Sequence, residues 1–145
     1  MDVTFGRERF LDVAPQLPPL LVKHWDEVGE GGELSFNWAA YAEADASGAL
    51  IPMVMRADGE LVGYAFFFLG PNNHQKNIIR AVSDIFYIDP KYRGHALKLI
   101  NLSKAILRDS GAEKVYFVSK TGTRAATLLK SLKLTLVEEV YECPL

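Results

Sequence analysis

What this 145-residue chain lacks sets the first bounds on it. It has one cysteine, Cys143, so no internal disulfide can form and a reducing compartment is expected. The three histidines, His24, His74 and His95, are scattered and far from that cysteine, so spacing assembles no metal site. Basic residues are not in excess: 16 Lys and Arg stand against 18 Asp and Glu, a net charge of −2, which argues against nucleic acid as the main partner. The longest apolar run, Tyr64 to Leu69, falls far short of a membrane span. Charges at Asp2, Arg7, Glu8 and Arg9 break up any signal-peptide core at the start. Repeats, low-complexity tracts and linkers are missing too. The expectation is one soluble cytoplasmic domain over residues 1–145.

The chain is 49% hydrophobic and 23% charged, the balance of a globular protein with a sizeable core. The patterning predicts a short strand over 3–5, then helices over 20–28 and 37–46, with Leu21, Trp25 and Val28 at helical spacing in the first. Strands follow over 51–57, 61–69 and 78–88, the first pair joined at Asp58-Gly59 and the second by a loop at 70–73. A helix over 96–110 carries Leu99, Leu102 and Ile106 on one stripe. A strand over 114–118, a helix with Ala125, Leu128, Leu129 and Leu132 in register, and a strand over 134–143 complete the order. Thr121 or Thr123 is the expected cap of the last helix. This is an α/β chain with a mixed central sheet and helices on both faces.

The most informative stretch runs from Ser83 to Ile100. An apolar strand enters Asp89-Pro90, a basic glycine-containing turn follows, and a helix begins. Such a turn aims backbone N–H groups and the positive end of a helix dipole at one spot, which suits a pyrophosphate.

Lys91-Tyr92-Arg93-Gly94-His95-Ala96 resembles the acyl-CoA loop of the GNAT acetyltransferase superfamily, written Gln/Arg-x-x-Gly-x-Gly/Ala. The element order also matches that family over nearly the whole chain. Residues 122–134 fall where the family often has Asn-x-x-Ala-x-x-Leu-Tyr-x-x-x-Gly-Phe. Residues 24–27, Gly63-Tyr64, His74 and 81–87 resemble, more narrowly, small GNAT proteins of tailed bacteriophages. Four positions depart from the family pattern: Lys91, Lys98, Gly122 in place of the helix-start Asn, and Leu129 in place of a tyrosine that often serves as general acid.

The resemblance implies acetyl-CoA as co-substrate, with no metal, and an acceptor amine that attacks the thioester directly. It implies a cleft where strands 78–88 and 114–118 splay apart. Phe86, Tyr87 and Ile88 would border the pantetheine arm. Lys91, Arg93, Gly94, His95, Ala96, Leu97 and Lys98 would surround the pyrophosphate. The amine must shed a proton, for which Asp84 and His74 are the candidate bases. Strand alternation sets Asp84, Phe86 and Ile88 on one face. Asp84 also reads as a carboxylate held by backbone amides or by Arg80, and His74 as an exposed loop residue. Trp25, Trp38 and Tyr41 read as helix-packing core or as the wall of an acceptor pocket. Two functions stand: N-acetylation of a small-molecule amine or protein lysine, or a GNAT-fold binding or structural protein, associated with a phage particle or a host protein. The C-terminal strand or exposed aromatics are the expected means of forming a homodimer.

Overall fold

The computed structural model describes residues 2–29 and 31–145. One five-stranded sheet runs in the order β1-β2-β3-β4-β5: Val3–Arg7, Leu50–Ala57, Glu60–Asn72, Gln75–Ile88 and Lys114–Tyr116. The first four strands are antiparallel neighbours, and β5 lies parallel to β4.

Turn chemistry fixes the register of the antiparallel part. Asp58 and Gly59 both take positive φ, 50° and 85°, the combination that a tight hairpin between twisted strands requires. Gly63 lies where β3 and β4 approach closely: a Cβ there would meet Ile88 Cγ1 at 3.1 Å and the Tyr87 carbonyl at 3.2 Å.

Two apolar layers sandwich the sheet. On one side pack α1 (Phe10–Val13), α2 (Pro18–Val28) and α3 (Trp38–Ala46), with Phe10, Leu17, Leu21, Tyr64, Phe66 and Tyr87 in the shared core. On the other side α4 (Ala96–Asp109) buries Leu99 and Leu107 against Met53, Met55, Phe67 and Ile88. α5 (Arg124–Ser131) follows β5. Asp45, at 6% exposure, ties α3 to the start of α1: it accepts from Arg9 Nε at 2.8 Å and from the Phe10 amide at 3.1 Å.

The mixed sheet with helices on both faces is as the sequence predicts, and Thr123 caps α5 by accepting from the Ala126 amide. Several details differ. Gly70 and Pro71 do not form a loop; β3 continues through them to Asn72 and the turn falls at Asn73-His74. The buried stripe of α4 is Leu99, Ile100, Ser103 and Leu107, whereas Leu102 is 38% exposed. Ser103 is tolerated inside because its hydroxyl donates to the Leu99 carbonyl at 2.7 Å. The strand expected over 134–143 is not formed, since no sheet edge of the described chain pairs with that segment. A lone strand without a partner does not stand by itself in water.

Candidate functional site

Pairing between β4 and β5 lasts only from Arg80 to Val82, opposite Lys114 to Tyr116. Past Val82 the strands part. The Val118 amide turns to the Ser83 side chain, donating to its Oγ at 2.7 Å. An apolar crevice opens there, with an empty volume of about 270 Å³, part of it open to solvent. Ser83 and Phe86 form one wall, Phe117 and Val118 the other, and Ile100, Ala125, Leu128 and Leu129 the floor. Among the described residues, no strand lies beside the edge of β4 that faces the crevice from Ser83 to Ile88.

A β-bulge sits at this same point. Ser83 pairs with Phe67 and Ile85 with Phe66, leaving Asp84 as an extra residue on β4. The insertion overturns the simple alternation expected for this strand. Phe86 packs into the α4 layer with Ile88, while Ile85 and Tyr87 join the layer under α2 and α3. Asp84 turns to the α3 side as well, where its Oδ2 accepts a hydrogen bond from the Tyr41 hydroxyl. Asp84, Phe86 and Ile88 therefore do not share a face. The bulge sets the consecutive residues Asp84 and Ile85 on one side of the sheet, the α3 side, between Ser83 and Phe86, which both face the crevice.

Asp84 keeps much of its surface accessible. Even so, the flanking protein desolvates the carboxylate enough to raise its pKa, and the Tyr41 hydrogen bond only partly opposes this. Around it stands an aromatic group. Tyr41 stacks on Phe36 with centroids 4.4 Å apart and meets Phe68 at 5.7 Å, and Phe36 meets Trp38 edge-on at 4.7 Å. Phe36, Tyr41 and Phe68 are half-buried and Trp38 is exposed. Arg80 is not the partner of Asp84; its guanidinium lies over the Tyr116 ring.

The turn after β4 is a tight helical segment, Pro90–His95, that leads directly into α4. Asp89 caps it, accepting from the Lys91 amide at 3.2 Å. Gly94 has no internal reason to be glycine. Its φ is not left-handed, and a Cβ built on it meets no atom of the described residues within 4 Å, its two chain neighbours aside. What the missing side chain preserves is open space beside the start of α4. That is the form of a cradle for a phosphate, and the apolar crevice, which α4 reaches through Ile100, suits a thioester arm.

The charged side chains of the turn point elsewhere. Arg93 donates to Glu27 Oε2 at 2.7 Å and to the Ile88 carbonyl at 2.9 Å, and lies over the Tyr87 ring. Lys98 sits over the Phe5 ring, with His95 beside the same ring, and Lys91 sits over Tyr92. Lys23 donates to Asp89 Oδ2 at 3.0 Å. Lys23 and Glu27, one turn apart on α2, thus clamp the turn at Asp89 and at Arg93. Sequence reasoning missed this clamp; its only trace was the i, i+4 spacing of the two charges.

His74 is not brought to the site. It lies exposed at the β3–β4 turn, roughly 30 Å along β4 from Asp84 at about 3.3 Å per residue. His24 is the histidine near the centre of the fold. Its Nδ1 is 2.8 Å from the Tyr64 hydroxyl and its ring stacks on Tyr87 at 5.0 Å. Burial lowers its pKa to about 4, helped by Arg93 and Lys120 and opposed by Glu27. An unfolded histidine titrates near 6.5, so between those values the unfolded chain binds the additional proton. Stability is therefore in full above about pH 6.5 and falls as pH drops toward 4. We expect the melting temperature of His24→Gln to vary less than that of the parent across this window. Parallel pH curves would rule out His24 as a source of the acid sensitivity.

Leu129 lines the crevice floor, so no phenol reaches the crevice from that position of α5. Gly122 takes φ 75° in the turn before α5, and Thr123 supplies the cap. Among the described residues no group of three or more His, Cys, Asp or Glu is placed to hold a metal ion, and no helix is long and apolar enough to cross a membrane.

A family model described as Acetyltransferase (GNAT) family matches residues 16–132. Among solved structures, a ribosomal-protein-alanine N-acetyltransferase from Brucella melitensis biovar Abortus superposes with a TM-score of 0.77 at 17% identity, covering 99% of each chain. An aminoglycoside acetyltransferase from an uncultured soil metagenomic sample gives 0.75 at 18% identity, covering 100% of this chain and 99% of the other. A predicted acetyltransferase from Clostridium acetobutylicum, solved with acetyl-CoA, gives 0.72 at 14% identity, covering 99% and 96%. At these identities the structures share the fold with this chain. No curated protein sequence matches it.

Proposed function

This chain belongs to the acetyltransferase (GNAT) family, and from that premise we propose that it is an acetyl-CoA-dependent N-acetyltransferase acting on a primary amine of a small molecule or a protein lysine. The observation that carries this reading is the crevice where β4 and β5 part, together with the open space over Gly94 at the other end of the turn that follows β4. In this reading the pyrophosphate rests on amides at the start of α4, near Gly94, Ala96 and Leu97. The phosphate contacts come mainly from backbone, because Arg93 is engaged by Glu27. The pantetheine arm adds along the free edge of β4 at Phe86 and Ile88, as a further strand would. The acetyl group then ends near the bulge.

The acceptor enters from the α3 side, where Phe36, Tyr41 and Phe68 surround Asp84. An ammonium is attracted by aromatic faces and by the carboxylate. Asp84 takes its proton, the free amine attacks the carbonyl carbon, and the C–S bond breaks. The products are an amide, whose nitrogen releases its second proton to solvent as the C–S bond breaks, and CoA, whose thiolate takes a proton from solvent because Leu129 offers none. The reaction needs no metal and proceeds in the cytoplasm.

The test is release of free CoA thiol from acetyl-CoA in the presence of a panel of primary amines and lysine peptides. We expect turnover that depends on both substrates. Tight acetyl-CoA binding with no turnover across the panel would favour a second reading, a binding module, which Leu129 at the crevice floor supports. The likeness to tailed-phage proteins belongs with this proposal and rests on the sequence pieces alone.

A further inference from the structure

Earlier on β4 than Asp84, the same face of the sheet carries a charge of opposite sign. Residues paired across strands share a face. Phe68 packs in the layer under α2 and α3, so its β4 partner Val82 lies on that side, and alternation brings Arg80 there too. Tyr116 pairs with Val82 from β5 and shares the face.

Arg80 is held but not answered. It is half-buried, and its guanidinium lies 5.4 Å from the centroid of the Tyr116 ring. Stacking of this kind uses the flat face of the guanidinium and leaves its edge N–H donors for a planar anion. Among the described residues Arg80 has no ion pair and no side-chain hydrogen bond. Lys114 stands opposite Arg80 in the parallel register, also without an ion pair, and adds a second positive charge. Glu113, its neighbour in sequence, lines a groove against α4 with Leu107 and Arg108.

Asp84 follows Arg80 by four residues and is itself the bulge insertion, a span of roughly 12 Å at about 3.3 Å per residue. Val82 and Phe68 lie between the two charges. This face therefore offers a carboxylate at one end, an apolar middle and a cationic fork at the other end.

We propose that Arg80 determines acceptor specificity by binding a carboxylate at the far end of a short linear amine, whose nitrogen reaches Asp84. The substrate class is a small zwitterion about three peptide residues long, since three extended residues span roughly 10 Å. Amines with further positive charge meet repulsion from Arg80 and Lys114. The amine end of this inference rests on the acetyltransferase reading; the carboxylate end is measurable without turnover.

Triglycine and triglycinamide differ in that one carboxylate and are the probes. Isothermal titration of each into the full chain with excess CoA reads binding, and thiol release from acetyl-CoA reads turnover. We expect triglycine to bind about tenfold or more tighter than the amide, with KM lower by a like factor and the preference shrinking as salt rises. Arg80→Gln is expected to erase the preference, and Lys114→Gln to reduce it by a smaller factor. If neither probe is acetylated but the binding preference holds and falls with Arg80→Gln, the acetyltransferase reading fails and the carboxylate site stands. No measurable binding of triglycine, equal binding of the two probes, or a preference that survives Arg80→Gln overturns the proposal.

Discussion

Asp84→Asn is expected to lower turnover by about 10²–10⁴-fold, the usual contribution of a positioned proton acceptor, while acetyl-CoA binds as before. The split follows from the bulge. Asp84 projects to the α3 side of the sheet and the crevice lies against Ser83 and Phe86, so the amide variant leaves the co-substrate walls intact. The pH profile adds a second readout. Desolvation raises the Asp84 pKa, so the acid limb of kcat/KM should lie above the ordinary carboxylate range and vanish in the variant. Tyr41→Phe removes the hydrogen bond that holds this pKa down, so its acid limb should move to higher pH. Turnover of Asp84→Asn equal to that of the parent would remove Asp84 from the chemistry.

Gly94→Glu should abolish most of the thermal stabilisation that acetyl-CoA confers. Ligand at about 100 times its dissociation constant adds roughly 2.7 kcal/mol to the folded state. For a chain of this size that is a rise of roughly 8 °C. A carboxylate at position 94 would occupy the space reserved for phosphate and repel it. The variant should fold normally, since its new Cβ meets nothing among the described residues within 4 Å, its chain neighbours aside, and the backbone there is not left-handed. A full acetyl-CoA shift in Gly94→Glu would mean that the phosphates lie elsewhere.

Elements whose signal is local were legible in the sequence. Thr123 caps a helix, Asp58-Gly59 turns a hairpin, and Lys91–Ala96 leads into α4, because each depends on a few neighbouring residues. Long-range decisions were not. The bulge at Asp84 depends on how β3 pairs with β4, and no residue type at 83–85 announces it; strand alternation therefore assigned Asp84 to the wrong face. Pro71 lies inside β3 although Gly-Pro-Asn-Asn reads as a turn. Arg93 looked like a phosphate ligand by position and is engaged by Glu27, sixty-six residues earlier in the chain. The segment 134–143 has the composition of a strand, but a strand is completed by its neighbour. His74, a candidate base by its place before β4, lies exposed at a turn, whereas His24 is the buried histidine, beside Tyr64 and Tyr87.

The clamp from α2 has a bearing on protein engineering. Lys23 and Glu27 grip Asp89 and Arg93, so residues 89–95 do not make a portable cassette. Grafted alone into another scaffold, they would arrive with two charges stranded; a foreign loop installed here would strand the two on the helix. The smallest transplantable piece is discontinuous, the turn together with one helical turn from the opposite layer.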